Sequence, residues 1–152
     1  MKLVVGADHA GYDLKEAMKQ WLLDQGYEVV DVGAHEYDGI DDYPDFGQAV
    51  AEVVVSSDGD RGIAFCGSGV GACIAANKVK GAMACVCHDT YSARQGVEHD
   101  GMNILVLGGK IVGVELAKEL VSAFAGAVVS DEERHVRRRG KVSAIEAKYS
   151  KD

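Results

Sequence analysis

The sequence predicts a three-layer α/β protein whose mostly parallel sheet is covered by helices on both faces. Three observations carry that expectation. Short β-branched and apolar runs alternate with longer segments of helical period along the whole chain, which is the signature of βαβ units. The chain has 152 residues and is 47% apolar, enough for a core that needs no disulfide or metal staple. Glycine is abundant, at 19 residues, beside a single proline, Pro44. That pairing excludes collagen-like and disordered chains and assigns the glycines to folded turns. No repeat, linker or low-complexity stretch interrupts the pattern, so residues 1–152 are expected to form one domain.

The first strand is expected at Leu3–Gly6. The helix after it follows from Leu14, Met18, Trp21 and Leu22 on one face, with Lys15, Glu16, Lys19 and Asp24 elsewhere, and Gly26 ends it as a C-cap. Tyr27–Val32 supplies the second strand, and an acidic loop over residues 33–45 leads to a helix carrying Phe46, Ala49, Val50, Val53 and Val54. Gly62–Phe65 is the third strand, Val70–Asn77 begins a helix, and Ala82–Val86 is the fourth strand. A short helix over Tyr91–Glu98 precedes the fifth strand, Asn103–Leu107. Val112, Leu116, Leu120 and Phe124 then recur at helical spacing within Ile111–Phe124, and the basic segment after Ser130 reads as a last charged helix.

Charge narrows the partners. Sixteen Lys and Arg against 24 Asp and Glu leave a net charge of −8, which argues against nucleic-acid or anionic-membrane binding across the whole surface. No apolar run reaches the roughly 18 residues of a membrane-spanning helix, and the chain starts directly in a strand-like run, so a cytoplasmic location is expected. Cys66, Cys73, Cys85 and Cys87 form no C-x-x-C pair and are expected as reduced thiols, the last three as small core residues.

In parallel sheets ligands bind outside the carboxyl ends of the strands, so the strand-to-helix junctions are where chemistry is expected. The most informative is Phe65-Cys66-Gly67-Ser68-Gly69-Val70-Gly71-Ala72, where a strand ends in a cysteine and three alternate glycines lead into a helix. Glycine there lets backbone N–H groups converge on an oxyanion, and a helix N-terminus adds about half a positive charge. A base and an oxyanion hole thus share one loop; the alternative is a tight turn around a buried cysteine. A tyrosine-phosphatase loop needs arginine where Ala72 stands, and a Walker loop needs Gly-Lys-Ser/Thr where Ala72-Cys73 stands. The dinucleotide pattern G-x-G-x-x-G/A matches formally through Gly67, Gly69 and Ala72, with Asp89 at about the right distance, which keeps a non-catalytic nucleotide-binding module open.

A second junction, Gly6-Ala7-Asp8-His9-Ala10-Gly11, sets an Asp-His pair at the crevice, either for proton handling or with Asp8 merely capping the following helix. His99 precedes the fifth strand; His35, His88 and His135 read as ordinary histidines, and no spacing among the five suggests a metal site. In Arg134-His135-Val136-Arg137-Arg138-Arg139, Arg134 and Arg138 are i,i+4 neighbours on one helical face. Such a run is either a solvated basic face or a forked grip on a phosphate.

Taken in order, Gly6-x-Asp8-His9-Ala10-Gly11, Asp42-Tyr43-Pro44-Asp45, Cys66-Gly67-Ser68-Gly69-Val70-Gly71, Ile74-Ala75-Ala76-Asn77-Lys78 and the Arg134-His135 cluster resemble the ribose 5-phosphate isomerase B family, which also holds galactose 6-phosphate and allose 6-phosphate isomerases. The resemblance covers nearly the whole chain. It implies a Rossmann-like fold with a five-stranded parallel sheet, and a homodimer or tetramer with active sites between subunits. It also implies aldose–ketose isomerisation of a sugar phosphate, ribose 5-phosphate to ribulose 5-phosphate, or alternatively of a hexose phosphate, with no cofactor and no metal.

The resemblance makes Cys66 the base that shuttles the proton. The amides of Gly67, Ser68, Gly69, Val70 and Gly71, with the Ser68 hydroxyl, stabilise the enediolate oxygen. His99 opens the sugar ring, and Asp8 accepts from a substrate hydroxyl. His9, Arg134 and Arg138 hold the phosphate, and Tyr43 lines the pocket. Two substrate-region positions depart from the family's common pattern: Asp100 stands where asparagine is usual, and Lys110 where arginine is common. Both imply a substrate preference that can differ from ribose 5-phosphate.

Overall fold

A computed structural model of the chain describes residues 1–56 and 58–151. Five strands and six helices alternate in the order β1 (Lys2–Ala7), α1 (Tyr12–Asp24), β2 (Glu28–Asp31), α2 (Tyr43–Val55), β3 (Arg61–Cys66), α3 (Val70–Ala76), β4 (Ala84–Val86), α4 (Thr90–Asp100), β5 (Ile104–Gly108), α5 (Val114–Gly126) and α6 (Glu133–Tyr149). All four strand pairings are parallel, in the sheet order β2-β1-β3-β5-β4. The expected three-layer, five-stranded parallel architecture is therefore what the chain adopts.

The strands alternate their side chains between two cores, as the two-residue period of a strand requires. Leu3, Val5, Ile63, Phe65, Leu105 and Leu107 pack with Leu14, Met18 and Leu22 of α1, Val97 of α4, and Leu120 and Phe124 of α5. Val4, Ala64, Cys66, Ile104 and Val106 face the other way, onto Val50, Ala51 and Val54 of α2 and Ala72 and Ala76 of α3. Cys66 thus ends the middle strand of the sheet on the α2–α3 side. No helix among the described residues is long and apolar enough to cross a membrane.

Several element boundaries differ from expectation, each for a local reason. Tyr43, Pro44 and Asp45 belong to the first turn of α2 and not to the acidic loop, because a proline costs nothing where helical N–H groups have no partner. The helix expected from Ile111 starts at Val114, since Ile111 and Val112 close a turn by donating to the Gly108 carbonyl. β4 loses Ala82 and Met83, whose amides bond to the Val79 carbonyl and to Asn103 Oδ1. Helix α4 runs on to Asp100, ending at Gly101 in the left-handed region, so His99 and Asp100 are helical. Cys87 is buried as expected, but Cys73 is only half-buried and Cys85 is exposed, because β4 is an edge strand. Gly26, at φ 90°, takes the left-handed position after α1, as its place in the sequence implies.

Candidate active site

Three junction loops meet at the carboxyl end of the sheet, and they approach so closely that only glycine fits between them. A Cβ on Gly11 would lie 2.6 Å from the Phe65 carbonyl carbon and 2.8 Å from the Cys66 nitrogen. One on Gly108 would lie 2.7 Å from the Ser68 carbonyl oxygen, and one on Gly109 2.7 Å from that of Ala10. Hydrogen bonds lock the contact: Gly109 donates to the Cys66 carbonyl at 2.7 Å and Lys110 to that of Gly67 at 3.0 Å. His88 Nε2 accepts from the Gly108 amide at 3.1 Å, which pins the β5 junction from the neighbouring strand end.

Cys66 is buried at the centre of this contact, 5% exposed. The chain turns sharply after it through Gly69, whose φ of 86° suits a residue without Cβ. That turn aims the Gly69 amide at Cys66 Sγ, 3.1 Å away, and the Val70 amide donates to Ser68 Oγ at 3.2 Å. An N–H donor on the sulfur stabilises negative charge there. Two of the loop's amides are therefore already engaged with the loop's own side chains. Tyr43, on the first turn of α2, lies against Gly71, where a Cβ would come within 2.5 Å of its ring. The Lys110 stem lies over Gly67.

The β1–α1 junction brings the third group. Asp8 is buried, and its Oδ1 accepts from the amides of Ala10 and Gly11 at 3.0 and 3.1 Å, so this oxygen does serve the turn. His9 is more open, and both its backbone N–H and its ring Nδ1 contact Asp41 Oδ1, at 2.9 and 2.7 Å. The Asp41 bond holds the His9 pKa above its ordinary value, against the opposing effect of desolvation. Asp8, His9 and Asp41 each offer a ligand atom within 4.8 Å of one another, a grouping that no sequence spacing announced.

Cys66, the Gly67–Gly71 loop, Asp8, His9, Tyr43 and Lys110 thus converge. His99, Asp100, Arg134 and Arg138 do not join them within one chain. Helix α4 begins beside the carboxyl end of β4 and runs antiparallel to the strands. His99 lies nine residues on from Thr90, about 14 Å along the axis and at the amino-terminal end of the sheet. There its ring stacks on His135 at 4.0 Å, its Nδ1 contacts Gln95 at 2.9 Å, and Arg139 donates to its carbonyl. His135 is buried rather than superficial, and burial together with the neighbouring His99 lowers its pKa. Arg134 pairs with Glu132 at 3.0 Å, and Arg138 is exposed a turn further along α6. A second cluster rich in imidazole and guanidinium therefore sits at the opposite end of the sheet from the thiol.

Sequence reasoning missed Asp41, His88, Gln95 and His135. Asp41 and His88 act on partners 32 and 20 residues away, which no motif announces; Gln95 touches His99 one helical turn on, and His135 stood inside a quoted cluster but read as an ordinary histidine. The nucleotide reading loses its acidic partner, because Asp89 Oδ1 caps α4 by accepting from the Ser92 amide at 2.7 Å.

Known proteins resemble this one along nearly the whole chain. Ribose-5-phosphate isomerase B of Escherichia coli (strain K12) is 41% identical over 145 residues, covering 95% of this chain and 96% of that protein. The structure of ribose-5-phosphate isomerase B from Clostridium thermocellum superposes with a TM-score of 0.94 at 48% identity, covering 99% of this chain and all of that one. That of the Mycoplasma genitalium enzyme with bound ribulose-5-phosphate gives 0.89 at 37% identity, over 98% and 97% of the two chains. The Ribose/Galactose Isomerase family model matches residues 3–142, and the chain belongs to that family.

Proposed function

We propose that the protein is an aldose–ketose isomerase of a phosphorylated sugar, converting ribose 5-phosphate to ribulose 5-phosphate through an enediolate, with Cys66 as the base. The observation that carries this reading is the buried Cys66 sulfur with the Gly69 N–H on it at 3.1 Å, at the carboxyl end of the middle strand and beside the Asp8 turn. Family membership and the relatives' named activity support it.

The chemistry follows from the groups present. A thiolate at Cys66 takes the proton from C2 of the open aldose, leaving an enediolate whose charge falls on O1. Loop N–H groups that remain available, with the Ser68 hydroxyl, stabilise that charge. The thiol then returns the proton to C1 while the O2 proton passes to O1, giving the ketose with no net loss of atoms or electrons. Asp8, with Oδ1 held by the turn, offers its other oxygen to a substrate hydroxyl. His9 grips the phosphate, Lys110 supplies a point charge at the loop mouth, and Tyr43 lines the pocket wall.

His99, Asp100, Arg134 and Arg138 enter this site from a second copy of the chain. Their place at the far end of the sheet supports that reading, since one chain alone leaves the thiol without a ring-opening acid or an arginine grip. Exposed apolar residues support it as well. Val142, Ile145 and Tyr149 line one face of α6 at 46, 60 and 77% exposure, and a cavity of about 490 Å³ opens between Val142 and Cys85, Gln95 and Met102. The functional unit is thus a homodimer, or a tetramer of two such pairs, each chain acting as one domain in a cytoplasmic setting compatible with its four free thiols.

The test is NMR in D₂O with a panel of five- and six-carbon aldose phosphates. Deuterium entering C2 of ribose 5-phosphate confirms the reaction and the sugar. Exchange confined to a hexose phosphate moves the assignment to the galactose branch, and no exchange with any member refutes the isomerase reading.

A further inference from the structure

We propose that Asp41, in the loop between β2 and α2, is a positioning residue that fixes His9 as an imidazolium with Nε2–H directed to the substrate phosphate; the inference rests on the reading of His9 as a phosphate ligand. Both hydrogen bonds that His9 makes to the protein end on one oxygen, Asp41 Oδ1, at 2.9 Å from the backbone N–H and 2.7 Å from ring Nδ1. A carboxylate only accepts, so Nδ1 carries the proton and Nε2 is the nitrogen left for a ligand. With Nδ1 protonated, a neutral ring would present a lone pair at Nε2 and repel a phosphate oxygen. Only the imidazolium presents a donor there. Asp41 therefore makes the phosphate grip conditional on the charge of His9 and sustains that charge.

The surroundings fit this role. The Asp41 side chain is only 10% exposed, and its Oδ2 is buried without a partner, so His9 is the group that compensates the carboxylate. The groups facing His9 are the carboxylates of Asp41 and Asp8, both favouring the cation, and the Tyr37 ring, edge-on at 6.3 Å. Tyr37 is itself braced by Tyr12 at 6.1 Å, which steadies the same loop. The His9 pKa lies above the ordinary 6.5, with the Asp41 bond as the largest cause.

The sign of the effect is fixed. A raised pKa extends the grip to higher pH than an ordinary imidazole allows and loses it as pH climbs through that value; without Asp41 the loss begins at lower pH. The experiment compares wild type, Asp41→Asn and His9→Gln, measuring the His9 ring titration by NMR and the kcat and KM for ribose 5-phosphate between pH 6 and pH 8.5. Using the ratio of variant to wild type at each pH cancels the ionisation of the substrate's own phosphate. For Asp41→Asn the expected result is a lowered His9 midpoint, with a KM ratio to wild type that rises severalfold from pH 6 to pH 8.5 and kcat within about twofold. Asparagine keeps the shape and the hydrogen-bonding capacity, so a purely structural role would leave both readouts flat, and flat readouts overturn the proposal. If His9→Gln raises KM while Asp41→Asn leaves the midpoint unmoved, the inference alone fails. If His9→Gln leaves KM unchanged, the phosphate role beneath it fails. Asp41→Ser, uncharged and shorter, gives the same comparison if the asparagine variant does not fold.

Discussion

The proposed division of the site between two subunits makes a prediction that few other arrangements share. If Cys66 is the base and His99 the ring-opening acid, Cys66→Ala and His99→Gln should each give an inactive homodimer. Within one chain these groups lie at opposite ends of the parallel sheet, His99 about 14 Å along α4 from the helix's start at Thr90. A mixed dimer pairs the intact Cys66 of one subunit with the intact His99 of the other at one of its two sites, and the two lesions fall together at the second. Random exchange of equal amounts makes half the dimers mixed, so recovered turnover should approach about a quarter of wild type, against a background lowered at least ~10²-fold for each parent. The assay needs co-expression with two affinity tags, or mild urea exchange, followed by turnover measured against mixing ratio. Recovery should follow the product of the two mole fractions. If both groups served a site within one chain, no mixed dimer would hold an intact site, and absence of recovery in a dimer shown to exchange refutes the shared-site reading.

Three further outcomes test particular residues. Cys66→Ala should keep the fold, since the residue is buried among small neighbours, while turnover falls by about 10²–10⁴; near-normal turnover in a folded protein would remove Cys66 as the base. Lys15 is fully buried and donates to Asp31 and to the Ala34 carbonyl. Asp31 keeps Lys19 at 2.9 Å and the Gly33 amide at 2.9 Å, so Lys15→Met should cost about 2 kcal/mol, chiefly for the stranded carbonyl, and not the full penalty of an orphaned buried charge. Urea denaturation at fixed protein concentration checks this, and a loss above about 4 kcal/mol would mean Asp31 is not rescued. Lys19 and Lys15 bonds hold the Asp31 pKa below the ordinary value in spite of burial, so its stabilisation is present above the unfolded pKa near 4 and drains away as pH falls further. Asp31→Asn should flatten the stability profile below about pH 4, and an unchanged slope there would contradict the assignment.

Most of the fold was legible because each element announces itself locally. Leu14, Met18 and Leu22 share the helical face that ends buried, and the strands alternate between the two cores as their apolar runs require. The glycines were equally informative, since Gly11, Gly108 and Gly109 sit where backbones touch, and a backbone contact leaves no other residue type possible. The errors came where tertiary context decides. Pro44 fell within the expected acidic loop over residues 33–45, yet it opens α2. Cys85 looked apolar, yet it lies on a strand whose outer edge this chain does not cover.

The site was legible in part for the same reason. An oxyanion loop is built from consecutive amides and therefore leaves a consecutive signature, Cys66 to Gly71. A positioning contact leaves none: Asp41 reaches His9 across 32 residues, through a loop whose path is fixed by Lys15 on Ala34 and by Tyr37 on Tyr12. The imidazole and guanidinium groups form a third case. Their residue types were readable, but their end of the sheet was not, because one turn more or less of α4 decides where His99 lies. The division that results has a chemical consequence. The thiol and its amides work best away from water, while the phosphate grip must stay open until substrate arrives. If the shared site holds, the thiol loop with His9 on one copy and His99, Arg134 and Arg138 on the other stay unfinished until two copies dock, so dilution below the dimer's dissociation constant should silence turnover without unfolding the sheet.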